Sequence, residues 1–257
     1  MTIGFFDSGL GGLTVMAEAL RKLPAQDYVY MADTLHVPYG TKEKAQVNDY
    51  VLQAVAMMME KGIDALVVAC NTATSIAVTE LREKYAMPIV GMEPAVKPAV
   101  EMIRTTGKRV LVFATPLTLQ QPKFYALVSR VEGEGLVEPL PLPELVRYCE
   151  SLQFDPDIMT AYFREKLEPY NLDDYGTIVL GCTHYPFYRS ILRDMLPPHI
   201  EVIDGNAGTV RRLSALLTRY GIANNGSGRV ELMCTDGNPD YIAKMETALG
   251  YARELEY

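Results

Sequence analysis

Short aliphatic runs alternate with segments of helical periodicity along nearly the whole chain. The runs at residues 2–6 and 65–69 predict strands, and the unbroken aliphatic run 65–69 predicts burial on both faces of a sheet. Leu13, Met16, Ala17 and Leu20 follow the i, i+3, i+4, i+7 spacing of a helix that packs on one side. Further strands are predicted at residues 28–32, 88–91, 109–114, 177–181, 201–203 and 230–233. This alternation predicts an α/β fold with parallel sheets.

The polar residues between these runs predict where helices begin and end. Thr41 is expected to cap a long helix with Glu43 in its first turn, and Gly62 is expected at its end. Pro186 is expected to open a helix, because proline lacks the N–H that a first turn leaves unpaired. The proline-rich stretch 139–143 is interpreted as a rigid loop. Other helices are predicted at about residues 74–85, 119–131, 145–167 with a break at 155–156, 209–220 and 241–249.

The composition narrows the class of protein. Hydrophobic residues make up 49% of the chain and charged residues 22%, as in soluble globular enzymes. A net charge of −8 argues against nucleic acid as a partner. No apolar run approaches the length of a membrane span, and the first residues predict a strand rather than a signal peptide. We therefore expect a cytoplasmic location, without membrane partners, in which cysteines stay reduced.

Two segments share one pattern, and each places a cysteine where a strand should end. Residues 66–72 and 178–184 both run from aliphatic residues through a small residue to cysteine and then to small polar residues. Ligands of open α/β sheets bind beyond the carboxyl ends of the strands, so Cys70 and Cys182 could face one another across a cleft. Such a pair suits a reaction that takes a proton from one side of a carbon and returns it on the other. The similarity also hints at a twofold internal repeat.

The neighbours of these two cysteines favour chemical roles. Each cysteine is predicted to precede a helix, whose dipole would lower the pKa of the thiol and favour the thiolate. His184 lies two residues beyond Cys182 and is a candidate proton partner for it. Asp7, at the end of the first strand, could serve Cys70 in the same way.

The remaining two cysteines, Cys149 and Cys234, lack such neighbours and are interpreted as small buried hydrophobic residues. None of the four forms a C-x-x-C pair, which argues against a zinc site, and we expect no bound metal.

Two turns allow both a functional and a structural interpretation. The glycine-rich turn within residues 7–14 joins a strand to a helix, where backbone N–H groups suit an anion such as a substrate carboxylate. It could equally be a tight left-handed turn that only connects two elements. The turn at residues 37–41 could present N–H groups and a tyrosine to substrate. It could equally be an ordinary turn whose residues serve only the backbone and the cap of the next helix.

In order along the chain, segments 6–15, 32–34, 37–40, 67–73, 180–186 and 203–204 resemble the cofactor-independent aspartate/glutamate racemase superfamily, and within it the glutamate racemases. The resemblance implies two pseudo-symmetric open parallel-sheet α/β domains with the active site in the cleft between them. Residues 1–92 plus 206–257 would form the first domain, and residues 93–205 the second. The family includes both monomers and homodimers, so the resemblance leaves the oligomeric state open.

The resemblance also implies a reaction without a cofactor. Cys70 would exchange the α-proton of D-glutamate with help from Asp7, and Cys182 that of L-glutamate with help from His184, supplying D-glutamate for peptidoglycan. Glu150 would be an acidic partner near His184. The residues implied to hold the substrate are Asp7, Ser8, Tyr39, Gly40, Asn71, Thr72, Thr115, Thr118, Thr183 and His184.

Three other functions remain open from the sequence. The closest is a racemase for aspartate or another amino acid on the same scaffold. A thiol hydrolase would use one cysteine with His184, and a binding module would hold an amino acid without turning it over.

Overall fold

The computed structural model describes residues 1–131, 135–222 and 225–255. Within them the strands are β1 Thr2–Asp7, β2 Asp27–Ala32, β3 Ala65–Val68, β4 Ile89–Gly91, β5 Arg109–Ala114, β6 Val137–Pro141, β7 Tyr175–Leu180, β8 Glu201–Asp204 and β9 Val230–Cys234. The α-helices are α1 Leu13–Lys22, α2 Lys44–Met59, α3 Asn71–Lys84, α4 Val96–Ile103, α5 Pro116–Leu119, α6 Pro122–Arg130, α7 Glu144–Glu150, α8 Pro156–Leu167, α9 Arg189–Met195, α10 Asn206–Arg219 and α11 Pro239–Glu254. Among the helices of these ranges, none is both long and apolar enough to cross a membrane.

The strands form two parallel sheets with matching topology. The first sheet has the order β4-β3-β1-β2-β9 and the second has the order β6-β5-β7-β8. Every recorded strand pairing in both sheets is parallel. Read from the opposite edge, the second sheet repeats β4-β3-β1-β2 as β8-β7-β5-β6, so β3 corresponds to β7. Cys70 and Cys182 are each the second residue beyond the end of these corresponding strands. The predicted pseudo-symmetric α/β fold is therefore confirmed.

The central strands are buried on both faces because helices cover both sides of each sheet. In the segment through β3, Ala65, Val67 and Ala69 pack into one hydrophobic cluster, whereas Leu66 and Val68 pack into another. Successive side chains of a strand point to opposite faces, so a run that is apolar at every position fills two cores. This packing confirms the interpretation of the aliphatic runs.

The proline-rich stretch is an edge strand rather than a loop. β6 includes Pro139 and Pro141 and pairs only with β5, at the end of the second sheet. Proline has no N–H to donate to a ladder, and an edge strand tolerates it because one side of the strand has no partner. The predicted loop was therefore wrong, because a high proline content is typical of loops and also occurs in edge strands.

Several predicted helix boundaries were also wrong. Thr41 ends a 3₁₀ turn instead of capping a helix, and α2 begins at Lys44. The helix predicted at 119–131 is divided into α5 and α6, since Pro122 begins a new helix. Pro186 lies in a 3₁₀ turn, Tyr185–Tyr188, that precedes α9. The helix after Cys70 begins at Asn71, earlier than predicted, so that Cys70 is its N-cap residue.

Candidate active site

A small buried cavity lies between the carboxyl ends of the two sheets, and both Cys70 and Cys182 line it. Its volume is about 10 Å³, which is room for about one water molecule. A ligand of more than a few atoms therefore requires its walls to move apart. The lining residues are Ser8, Tyr39, Gly40, Cys70, Asn71, Thr72, Thr115, Val146, Cys182, Thr183 and His184.

Cys70 is almost fully buried in the wall of the cavity. Its thiol donates a hydrogen bond to Ser8 Oγ at 3.7 Å, and the Ala73 N–H donates to its Sγ at 3.5 Å. Burial raises the pKa of the Cys70 thiol to about 12, and the charge of Asp7 adds to this rise, while the Ala73 N–H opposes it. Cys70 is therefore a thiol at neutral pH. The expectation that the helix start favours a thiolate here was wrong, because desolvation outweighs one backbone donor.

Asp7 lies directly behind the cavity wall. Its carboxylate accepts hydrogen bonds from the Gly9 N–H at 3.0 Å and from the Thr183 hydroxyl at 3.0 Å. Burial raises the pKa of Asp7 to about 6, although the charge of His184 and both hydrogen bonds oppose the rise. The bond to Thr183, the residue after Cys182, joins the end of β1 to the loop after β7, so Asp7 ties the two sheets together at the cavity.

Cys182 begins a chain of polar groups that runs away from the cavity. Its Sγ lies 3.7 Å from His184 Nδ1, and His184 Nε2 lies 2.7 Å from Glu150 Oε1. Leu10 N–H donates to Glu150 Oε1 at 2.8 Å, and the Tyr241 hydroxyl donates to Glu150 Oε2 at 2.6 Å. These contacts place an imidazole–carboxylate pair beside Cys182, whereas the hydrogen-bond partners given above for Cys70 are a hydroxyl and a backbone N–H.

The charges in this assembly form an ion pair. Burial lowers the pKa of His184, but its hydrogen bonds to Cys182 and Glu150 prevail and raise it well above the ordinary value. Burial raises the pKa of Glu150, but the hydrogen bond and charge of His184 and the Tyr241 hydroxyl outweigh this and lower it. His184 is therefore an imidazolium beside Cys182, where it can stabilise a thiolate.

The glycine-rich turn holds carboxylates of the protein itself. The Gly9 N–H is bonded to Asp7, and the Leu10 N–H to Glu150. These two donors are thus committed to internal carboxylates rather than left for a substrate carboxylate. The alternative interpretation, a left-handed turn, was wrong, since none of the glycines in this turn is among the residues with positive φ.

Two glycines allow the two halves to approach closely at the cavity. A Cβ on Gly11 would lie 2.5 Å from His184 Nδ1, and a Cβ on Gly40 would lie 2.4 Å from the Cβ of Thr115. Real Cβ atoms do not approach other atoms so closely. Gly40 thus lies at the cavity, as predicted, and its lack of a side chain leaves room for Thr115.

Hydroxyl and amide groups form the rest of the cavity wall. The hydroxyls of Thr72, Thr115 and Thr118 lie 2.9–3.0 Å from one another. Thr118 does not line the cavity itself and supports the other two from behind. Both polar atoms of the Asn71 amide are buried and have no partner among the described residues. This amide is the polar group of the wall that is most readily available to a ligand.

Three residues near the cavity were not predicted to be part of the site. Asp33 accepts a hydrogen bond from the Tyr39 hydroxyl and another from Thr235 at 2.8 Å, and so fixes the tyrosine. Its position directly after a buried strand was a usable signal. Tyr241 and Val146 had no local signal, because they reach the site only through the tertiary fold.

The other cysteines lie outside the cavity. Cys149 and Cys234 are buried and free, and burial raises the pKa of each. In the ranges that the structure describes, no group of three or more His, Cys, Asp or Glu side chains could hold a metal ion.

The chain resembles known racemases over nearly its full length. It is 55% identical to glutamate racemase of Halothermothrix orenii over 233 residues, covering 91% of each chain. It is 45% identical to glutamate racemase 2 of Bacillus subtilis over 230 residues, covering 90% of this chain and 87% of the relative.

A solved structure has the same fold. Glutamate racemase of Escherichia coli, in complex with L-glutamate and the activator UDP-MurNAc-ala, matches with a TM-score of 0.86 and 30% identity, covering 96% of this chain and 94% of that one. The profile of the Asp/Glu/Hydantoin racemase family matches residues 8–213, which include both cavity cysteines. The chain therefore belongs to the Asp/Glu/Hydantoin racemase family.

Proposed function

We propose that this protein is a glutamate racemase in which Cys70 and Cys182 act as two opposed acid–base groups. The observation that carries the proposal is that both thiols line one cavity and that each follows one of two corresponding strands of the two sheets. The relatives named glutamate racemase, and the related structure that holds L-glutamate, support glutamate as the substrate.

The surroundings of the two thiols suit the direction from L- to D-glutamate. In this direction Cys182 takes the α-proton of L-glutamate, and the His184 imidazolium beside its Sγ stabilises negative charge on the sulfur during the transfer. Cys70, whose pKa is raised to about 12, is the thiol that protonates the opposite face of Cα. The proton thus moves from Cα to Cys182, while a second proton moves from Cys70 to Cα.

In the reverse direction Cys70 removes the α-proton of D-glutamate and Cys182 returns one. Cys70 must first lose its proton, and Asp7, with a pKa of about 6, is the nearby carboxylate proposed to assist. Negative charge that develops at Cα and on the substrate carboxylate would be stabilised by the Asn71 amide and the threonine hydroxyls. A cavity closed to water strengthens these interactions. We propose that no cofactor takes part.

The wider role follows from the product. We propose that the enzyme acts in the cytoplasm and supplies D-glutamate for peptidoglycan synthesis. We also propose domains of residues 1–92 plus 206–257 and residues 93–205. The pairing of β9 with β2 and the packing of α11 against α1 support this division, although residues 223, 224, 256 and 257 lie outside the described part of the chain.

Circular dichroism with L-glutamate and L-aspartate tests the substrate. We expect the signal of L-glutamate to decay to zero without added cofactor. Turnover of L-aspartate alone would refute the choice of glutamate, and binding without loss of the signal would favour a binding module.

Substitution of each thiol tests the two-base scheme. Cys70→Ala and Cys182→Ala are each expected to abolish racemisation, whereas Cys234→Ala, a buried cysteine outside the cavity, should retain it. A thiol hydrolase that uses Cys182 with His184 predicts instead that Cys70→Ser remains fully active.

A further inference from the structure

The carboxylate of Glu150 is fixed at both oxygens by donors from different parts of the fold. Oε1 accepts from the Leu10 N–H and pairs with His184, whereas Oε2 accepts from the Tyr241 hydroxyl at 2.6 Å. Glu150 ends α7, but Tyr241 lies on α11, which packs against α1 and β9 on the side of the first sheet. A residue 91 positions away therefore holds the partner of His184.

Lys244 on the same helix strengthens this connection. Its Nζ donates to the backbone carbonyl of Glu150 at 3.1 Å and lies 5.1 Å from the centre of the Tyr241 ring. Helix α11 thus contacts both the side chain and the backbone of Glu150.

We propose that Tyr241 is a positioning residue for the Cys182 half of the reaction, an inference that rests on the proposed racemase function. The terminal torsion of a glutamate is soft, so a carboxylate held at one oxygen can rotate. Without the Tyr241 hydroxyl, Oε1 loses its fixed orientation toward His184 Nε2, and the ring loses its orientation toward Cys182. The hydrogen-bond partners of the Cys70 thiol, Ser8 and the Ala73 N–H, do not involve α11, so its half of the reaction should be spared.

The rate of racemisation cannot show which of the two bases, on opposite faces of Cα, is impaired. L- and D-glutamate have equal free energies, so kcat/KM is the same in both directions whichever base is impaired. Elimination of HCl from 3-chloroglutamate separates the two faces, because it needs only one base. That base takes the α-proton, the electrons of the C–H bond form a Cα=Cβ double bond, and chloride leaves from Cβ. The substrate with L configuration at Cα would use Cys182, and the substrate with D configuration would use Cys70.

The test compares Tyr241→Phe with wild type on these two substrates. We expect kcat/KM for elimination from the L-configured substrate to fall about tenfold or more, the effect of losing a hydrogen bond to a charged group. The D-configured substrate should change by less than about twofold. Tyr28→Phe is the matched control, since it removes the same atom from a buried tyrosine whose hydroxyl donates to Leu23 O at 2.7 Å. It should leave both eliminations unchanged.

A second variant keeps the test decisive if Tyr241→Phe does not fold. Lys244→Met removes the amine that holds the Glu150 backbone and should produce a smaller loss that is again confined to the L-configured substrate. Equal losses on both substrates, or no loss on the L-configured one, would overturn the positioning role. A wild-type protein that neither racemises glutamate nor releases chloride would instead refute the proposed function itself.

Discussion

Replacing Asp7 by asparagine is expected to stabilise the fold while impairing racemisation. Burial raises the pKa of Asp7 to about 6, from an ordinary value of 3.8. Above pH 6 the folded state therefore carries a desolvated charge that the unfolded chain exposes to water. The difference between the two pKa values corresponds to about 3 kcal/mol. An asparagine keeps an acceptor for the Gly9 N–H, and the Thr183 hydroxyl can turn to accept from its amide, so the substitution mainly removes the charge.

Urea unfolding at several pH values measures this effect. In wild type the destabilising contribution of Asp7 should fade as pH falls from about 6 toward 4, because the folded state takes up a proton there that the unfolded state does not. The advantage of Asp7→Asn should thus be about 3 kcal/mol near pH 8 and close to zero near pH 3. Asp27→Asn is a control of opposite sign, since hydrogen bonds from Ser227 and Arg229 lower the pKa of Asp27 to about 2. Its loss of stability should be present above about pH 4 and disappear toward pH 2. An Asp7→Asn variant no more stable than wild type at pH 8, or a gap that does not vary with pH, would refute the reasoning.

Two further pairs of variants test the contact between the halves and the polar core. Gly40→Ala places a Cβ 2.4 Å from that of Thr115 and should cost about 1–3 kcal/mol and most of the activity, whereas Gly250→Ala, with open space around it in α11, should stabilise slightly. Urea unfolding and racemisation assays measure both, and a fully active, stable Gly40→Ala variant would contradict the close approach. Thr183→Val leaves a buried carboxylate short of one donor and should cost about 1–3 kcal/mol. Thr177→Val, which replaces a buried hydroxyl without a partner in the described residues, should be neutral or stabilising, and the reverse order in urea unfolding would contradict this assignment.

The strands and both cavity cysteines could be predicted from the sequence because their signals are local. A run of apolar residues that ends in Cys70 or Cys182 specifies a buried strand and the position of the thiol, and the matching strand orders explain why the two segments look alike. Edge strand β6 was missed because prolines usually argue against a strand. They are tolerated in β6 because one side of an edge strand lacks a partner.

The electrostatics of the site could not be predicted, since they depend on tertiary burial. The helix start at Cys70 suggested a lowered pKa for its thiol, but burial away from water raises that pKa instead. The contact between Tyr241 and Glu150 joins residues 91 positions apart and has no periodic signal. The small glycine-rich turn suggested an anion site, and two of its donors hold carboxylates of the protein instead.

Incubation with L-glutamate in D₂O, without added cofactor, tests the two-cysteine racemase most directly. Circular dichroism follows the loss of optical activity, and NMR follows deuterium at Cα. The wild-type protein should bring the signal to zero while deuterium from solvent enters Cα, and Cys70→Ala or Cys182→Ala should each abolish racemisation. An unchanged signal in wild type, or a single cysteine variant that racemises glutamate near the normal rate, would contradict the mechanism.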